Sequence, residues 1–148
     1  MKTLKKIINI KPGEGKMVLF FFLFSFFNVA MGLVAKTARD AYFLTDYDKS
    51  LLPLMFVVIA VIMAPFLVLF TKLSKKIPQK IFFVVVCAIF GTSFIILQPI
   101  MTGIIIPITY VWVEMVVAVM IIQFWTITGE SFQPQQAKRL FGIVAGGG

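Results

Sequence analysis

Histidine is absent from this 148-residue sequence, and cysteine occurs once, at Cys87. Without histidine there is no usual zinc site, no imidazole proton relay and no Ser-His-Asp triad. One cysteine, lying inside an apolar run, permits no intrachain disulfide. Acidic residues are scarce, 6 Asp and Glu against 14 Lys and Arg, and they are not clustered. These absences argue against an enzyme, a resident metal and a bound cofactor. Charge as a whole is thin, 14% of residues, where a soluble domain carries about 25%.

Apolar residues are what the chain has in excess. They make up 60% of it, against about 45–50% in a soluble domain. They gather into four long runs, at about residues 17–44, 51–71, 81–99 and 104–129. A run of about 20 apolar residues is a membrane-spanning helix, since only helices and closed barrels satisfy their backbone in lipid. The expected fold is therefore an all-α membrane protein of four transmembrane helices, an up-and-down bundle in a lipid bilayer. Pro65 inside the second run is expected to kink it, because proline removes a backbone donor.

Lys2, Lys5 and Lys6 precede an apolar stretch, as in a signal peptide, but the run from Met17 to Ala35 is longer than the roughly 7–15 residues of such a segment. Residues 1–16 read as a cytoplasmic N-terminal segment. Leu4, Ile7 and Ile8 fall on one side of a short helix ending at Pro12-Gly13, though a plain tail suits the weak periodicity better. The excess of basic residues lies at the ends of the apolar runs, which speaks for topology and against nucleic acid as a partner. Lysines fill the tail and the second connection (Lys72, Lys75, Lys76, Lys80), the third connection is uncharged, and Lys138 and Arg139 follow the fourth run. The positive-inside rule then places the N-terminus in the cytoplasm of a multi-pass protein of the plasma (bacterial inner) membrane. A fifth helix is expected from about residue 135, so residues 17–148 read as an incomplete bundle and the chain as a fragment.

Glu114 is the single charge between Ile104 and Gly129. A carboxylate near the centre of a spanning helix costs about 2.5–3.5 kcal/mol on insertion scales, so it is expected to face a partner or a watered cavity. Lys36 is the leading candidate. If the first helix continues to Leu44, Lys36 lies about 12 Å from its outer end and Glu114 about 15 Å from the outer end of its own helix. If the helix stops at Lys36, the lysine snorkels to the interface. Glu114 has a second reading as well, a structural hydrogen bond to Tyr110, Thr126 or a neighbouring helix. At helical spacing, Ser25, Val29, Gly32, Asp40 and Phe43 share the face of Lys36, and Pro107, Tyr110, Ala118, Ile121, Trp125 and Thr128 share that of Glu114. Ser25, Gly32, Tyr110 and Trp125 are thus candidate cavity-lining residues, while Phe20, Phe27 and Val34 look outward to lipid or core packing.

A Lys–Glu pair in a bundle suits a solute path. It neutralises itself when empty and yields its lysine to an anion, which couples occupancy to alternating access. Charge alone does not separate this from a proton-coupled carrier in which Glu114 holds the proton.

Three sets of residues stand out together: Ala35-Lys36-Thr37-Ala38-Arg39-Asp40, Glu114 with Gln123-Phe124-Trp125-Thr126, and Phe132, Pro134 and Ala137-Lys138-Arg139-Leu140-Phe141-Gly142. In this order they resemble the nucleotide translocase (ATP/ADP translocase) family of bacteria, plastids and intracellular parasites. The resemblance covers about residues 17–148. It implies a major-facilitator-like fold of about twelve spans in two halves, of which this chain is the first four spans and the start of the fifth. The missing C-terminal half would be a partner in the site. It further implies exchange of ATP for ADP, or nucleotide import, with Lys36 and Glu114 important for transport and Arg39 a candidate phosphate contact or an interfacial anchor paired with Asp40. Lys138 and Arg139 would stand at the cytoplasmic entrance of the fifth helix, attracting anions or orienting the helix, with Glu130 pairing to one of them. The final glycines lack the Lys and Ser/Thr of a phosphate-cradling loop and read as close helix packing. Two other readings stand beside nucleotide transport: a carrier of another solute, and a non-transporting membrane subunit.

Overall fold

The structure, a computed structural model, describes Lys11 and residues 13–148. The readings of the tail that concern residues 1–10 and Pro12 lie outside the described residues. Among the described residues five α-helices follow one another and no strand occurs. They are α1 (Gly15–Asp46), α2 (Leu52–Ser74), α3 (Gln79–Leu97), α4 (Ile105–Ser131) and α5 (Pro134–Ala145). The first four are long and apolar enough to cross a membrane, and the protein is an all-α, multi-pass membrane protein.

The helix ends follow from local chemistry. α1 has 32 residues and runs through Lys36, Arg39 and Asp40 without a break, so those charges lie inside a helix. A 3-10 turn, Lys49–Leu51, leads into α2; Asp48 caps it by accepting from the Ser50 N–H at 2.7 Å. That bond favours the carboxylate and holds Asp48 below the ordinary range for an aspartate. α2 continues past Pro65 to Ser74. α3 closes in a second 3-10 turn, Gln98–Ile100, around Pro99. Gly103 has φ +50°, a left-handed conformation natural to glycine, and it precedes α4. α5 starts on a capping box formed by Gln133 and Gln136, with Pro134 in its first turn.

The chain packs as two units. One comprises residues 1–33 and Met120–Gly148, and the other Val34–Val119. In the first, α5 lies against the beginning of α1 and the end of α4. Leu140 and Val144, one turn apart, are fully buried with Val18, Phe21, Phe124 and Phe132, while Lys138 stays exposed. Aromatic rings fill this interior, with Phe21 5.2 Å from Phe132 and Phe24 5.2 Å from Phe124. A Cβ on Gly147 would overlap the Phe22 backbone, so the glycine permits this close approach, in keeping with the packing role expected of the terminal glycines.

In the second unit, Phe43 and Tyr110 pack with Met55, Ile106 and Val111, bringing α1, α2 and α4 together. Tyr47 donates its hydroxyl to the Gly103 carbonyl at 3.1 Å, so the end of α1 and the start of α4 share one end of the unit. α3 is attached by Phe82 against Phe70 of α2 and by Phe90 against Trp112 of α4. Trp112 also donates through Nε1 to Ser93 Oγ at 2.9 Å. Lipid tails are as apolar as leucine, so such interlocking rings and interhelical hydrogen bonds hold the helices together where the hydrophobic effect does not. Of the four spanning helices α2 is the least buried, 6%, and α4 the most, 44%.

Candidate charge site between the first and fourth helices

Lys36 lies ten residues before the end of α1 and Glu114 nine residues after the start of α4. At about 1.5 Å per residue they reach the same depth from the end those helices share. There Lys36 Nζ donates to Glu114 Oε1 at 2.7 Å. α1 does not stop at Lys36, the condition under which the lysine would snorkel, but continues nearly three turns beyond it. Thr126 does not serve Glu114; its hydroxyl donates to the Ile122 carbonyl of its own helix at 2.8 Å.

Arg39 completes the cluster, one turn beyond Lys36. Its Nη1 donates to Glu114 Oε2 at 2.5 Å and to the Tyr110 carbonyl at 3.3 Å, and its Nε donates to Asp40 Oδ1 at 3.2 Å. The guanidinium lies over the Tyr110 ring, 4.1 Å from its centroid. Arg39 is therefore no simple interfacial anchor. Its side chain is 6% exposed, and it is held by two carboxylates, a carbonyl and an aromatic face. Guanidinium suits such a place because it is planar, weakly hydrated and stacks on rings.

Two cations thus share one carboxylate, one oxygen each, and Asp40 brings the formal charge of the four to zero. Neutrality and full pairing make ions tolerable inside a spanning segment. The two cations are held differently. The Lys36 side chain is 39% exposed and has a single charged partner, whereas Arg39 is enclosed.

Of the residues expected to line a cavity, Ser25, Gly32 and Tyr110 are buried; Phe43 and Arg39 cover the Tyr110 ring, and Gly148 approaches Ser25. Trp125 is 40% exposed, with one side of its ring toward Phe141. Phe20, Phe27 and Val34 are exposed, as expected of a lipid-facing stripe.

At the α1–α5 end, Glu130 does not pair with Lys138 or Arg139. It is exposed, as is Lys138, and Arg139 instead meets Glu14 with Nη2 2.6 and 2.7 Å from the two carboxylate oxygens. Glu14 also accepts from the Lys11 N–H at 3.0 Å and from Gln136 Nε2 at 3.0 Å. The backbone N–H of Lys11, then Gln136 and Arg139, hold the Glu14 carboxyl below its ordinary value. Glu130 was the nearer acid in sequence, but it sits on the outer side of α4, while α5 folds back onto α1. Two more residues went unrecognised as structural: Asn28, whose amide donates to the Met120 carbonyl at 3.3 Å, and Gln123, which is 1% exposed with neither amide atom bonded to protein.

Comparison with protein-family models, curated proteins and solved structures gives no match for the chain.

Proposed function

We propose that the protein is a carrier, not an enzyme, and that it exchanges or imports a polyphosphate anion of the ATP/ADP class by alternating access. The observation that supports this is the unequal hold on Glu114. Arg39 is fixed, while Lys36 is half exposed and attached by one contact. A phosphate competing for Lys36 would leave Glu114 still paired to Arg39, so binding does not strand a bare carboxylate in the membrane. The sequence resemblance to nucleotide translocases adds the substrate class and a major-facilitator-like scaffold, whose further helices would supply the remaining phosphate contacts. In this reading Lys36 touches the solute, Glu114 is its counter-charge, and Arg39 positions Glu114. Lys138 remains a candidate for drawing anions to the entrance of α5. The lysine-rich connections put the N-terminus in the cytoplasm, with the protein in the bacterial inner membrane.

The test is counter-transport in vesicles carrying the full-length protein, loaded with ADP and offered labelled ATP. Uptake should require internal ADP. Lys36→Ala and Glu114→Gln should lower it by about tenfold or more, the worth of one charge-assisted hydrogen bond. Wild-type uptake by Lys36→Ala would sink the mechanism. A second reading, a proton-coupled carrier of another solute, draws on the position of Glu114 within a span; uptake driven by an imposed proton gradient without internal ADP would favour it.

A further inference from the structure

The connection between α2 and α3 carries four cations that no acidic side chain among the described residues answers. Lys72 lies in the last turn of α2, Lys75 closes that helix, Lys76 follows in the turn, and Lys80 is the second residue of α3. All four are exposed, and none forms an ion pair. The sequence explains the absence of partners: from Lys49 to Val113 there is no aspartate or glutamate. The turn itself is short and tied down. Lys76 N–H donates to the Leu73 carbonyl at 3.0 Å, and Gln79 reaches the Ser74 carbonyl at 3.5 Å. The lysines therefore stay at the ends of two spanning helices, where the headgroups of one leaflet begin.

We infer that this turn is a binding surface for anionic phospholipid headgroups. Orientation of the helices alone would need only the charges. The apolar residues set among them point to a lipid. Leu73, Ile77 and Ile81 alternate with the lysines and are 47%, 37% and 57% exposed. A soluble phosphate gains nothing from them, whereas a lipid offers a phosphodiester to the ammonium groups and acyl chains to the isoleucines and the lysine stems. α2 is the helix least covered by protein, so the turn is open to the bilayer from that side. Basic clusters next to spanning helices bind anionic lipids through the same attraction, which falls off within a Debye length. The recognised chemistry is a monoanionic phosphodiester in a membrane leaflet, and no contact with the Glu114 cluster is needed.

Spin-labelled lipids in reconstituted bilayers of phosphatidylcholine test this with the full-length protein. The fraction of label immobilised by the protein is compared for phosphatidylglycerol and phosphatidylcholine probes. The wild type should favour phosphatidylglycerol about threefold at low salt, with the preference largely gone at about 1 M salt. Replacing Lys72, Lys75, Lys76 and Lys80 together by glutamine should abolish the preference, and replacing the same four by arginine should keep it. The arginine variant separates loss of charge from damage to the fold. Equal immobilisation of both probes by the wild type, or a preference that survives the glutamine replacements, overturns the inference. Displacement of the phosphatidylglycerol probe by inorganic phosphate at constant ionic strength would assign the lysines to a soluble anion and overturn it as well.

Discussion

Arg39 reaches across 75 positions of sequence to place Nη1 2.5 Å from Glu114 Oε2, and the guanidinium that does so is the most enclosed charge of its cluster. Lys36 takes the other oxygen of the same carboxylate from a half-exposed position. One anion in the membrane is thus held by a fixed cation and an available one. The difference between them lies in packing, since both carry a single positive charge.

That difference predicts opposite profiles for two substitutions. Arg39→Ala removes the bonds to Glu114, Asp40 and the Tyr110 carbonyl and uncovers the Tyr110 ring. It should cost about 3 kcal/mol, the usual cost of breaking a buried ion pair. Lys36→Ala removes one partly exposed contact and should cost about 1 kcal/mol or less. Thermal unfolding of the two variants in detergent checks the order. Equal destabilisation would mean that Lys36 is as much a part of the scaffold as Arg39.

Glu14 predicts a pH dependence. Its carboxyl is held below the ordinary value of 4.5 in the fold. The unfolded state therefore binds a proton first as pH falls, so the contribution of Glu14 is complete above about pH 4.5 and is lost as pH drops through the lower folded value. Melting temperatures of the wild type and Glu14→Gln should differ above about pH 5 and converge as pH falls through the lowered folded value. Curves that stay parallel over that range would show that the Arg139 contact does not depend on the charge of Glu14.

Gln123 predicts a substitution that improves the protein. Both its amide atoms are buried without a protein partner, and such a group costs about 1–3 kcal/mol when nothing satisfies it. Gln123→Met keeps the length and removes the polar atoms. Its melting temperature should equal or exceed that of the wild type. A clear fall would show that the amide is bonded in the membrane-embedded protein.

The spans were legible because the bilayer asks for something simple. About twenty apolar residues make a helix, and the four runs became α1 to α4 with ends shifted by one to three residues. α5 likewise begins at Pro134, where an N1 proline and a capping pair announce it. Glu114 was legible as a cost, since one charge in a long apolar run stands out without any knowledge of its neighbours. Lys36 was its leading candidate partner on helix face and depth, and the two depths agree because both are residue counts from the end that α1 and α4 share.

Packing decided the rest. Arg39 sits about 60° round α1 from Lys36, and the family resemblance left it between a phosphate contact and an interfacial anchor paired with Asp40. It turns inward because the crossing of α1 and α4 puts the Tyr110 ring and carbonyl beneath it. Glu130, four residues before Pro134, looked like the partner of Arg139, yet Glu14 takes that place from 125 positions away. Helix periodicity states which residues share a face. Only the side chains that interlock between helices, Phe43 on Tyr110 and Leu140 among the phenylalanines of α1 and α4, state which faces meet. The sequence by itself determined the membrane, the helices and the charge that needed an answer. The tertiary structure decided which of the nearby cations is enclosed and which is left partly exposed, because burial and the number of partners are properties of the packed helices and not of the residue.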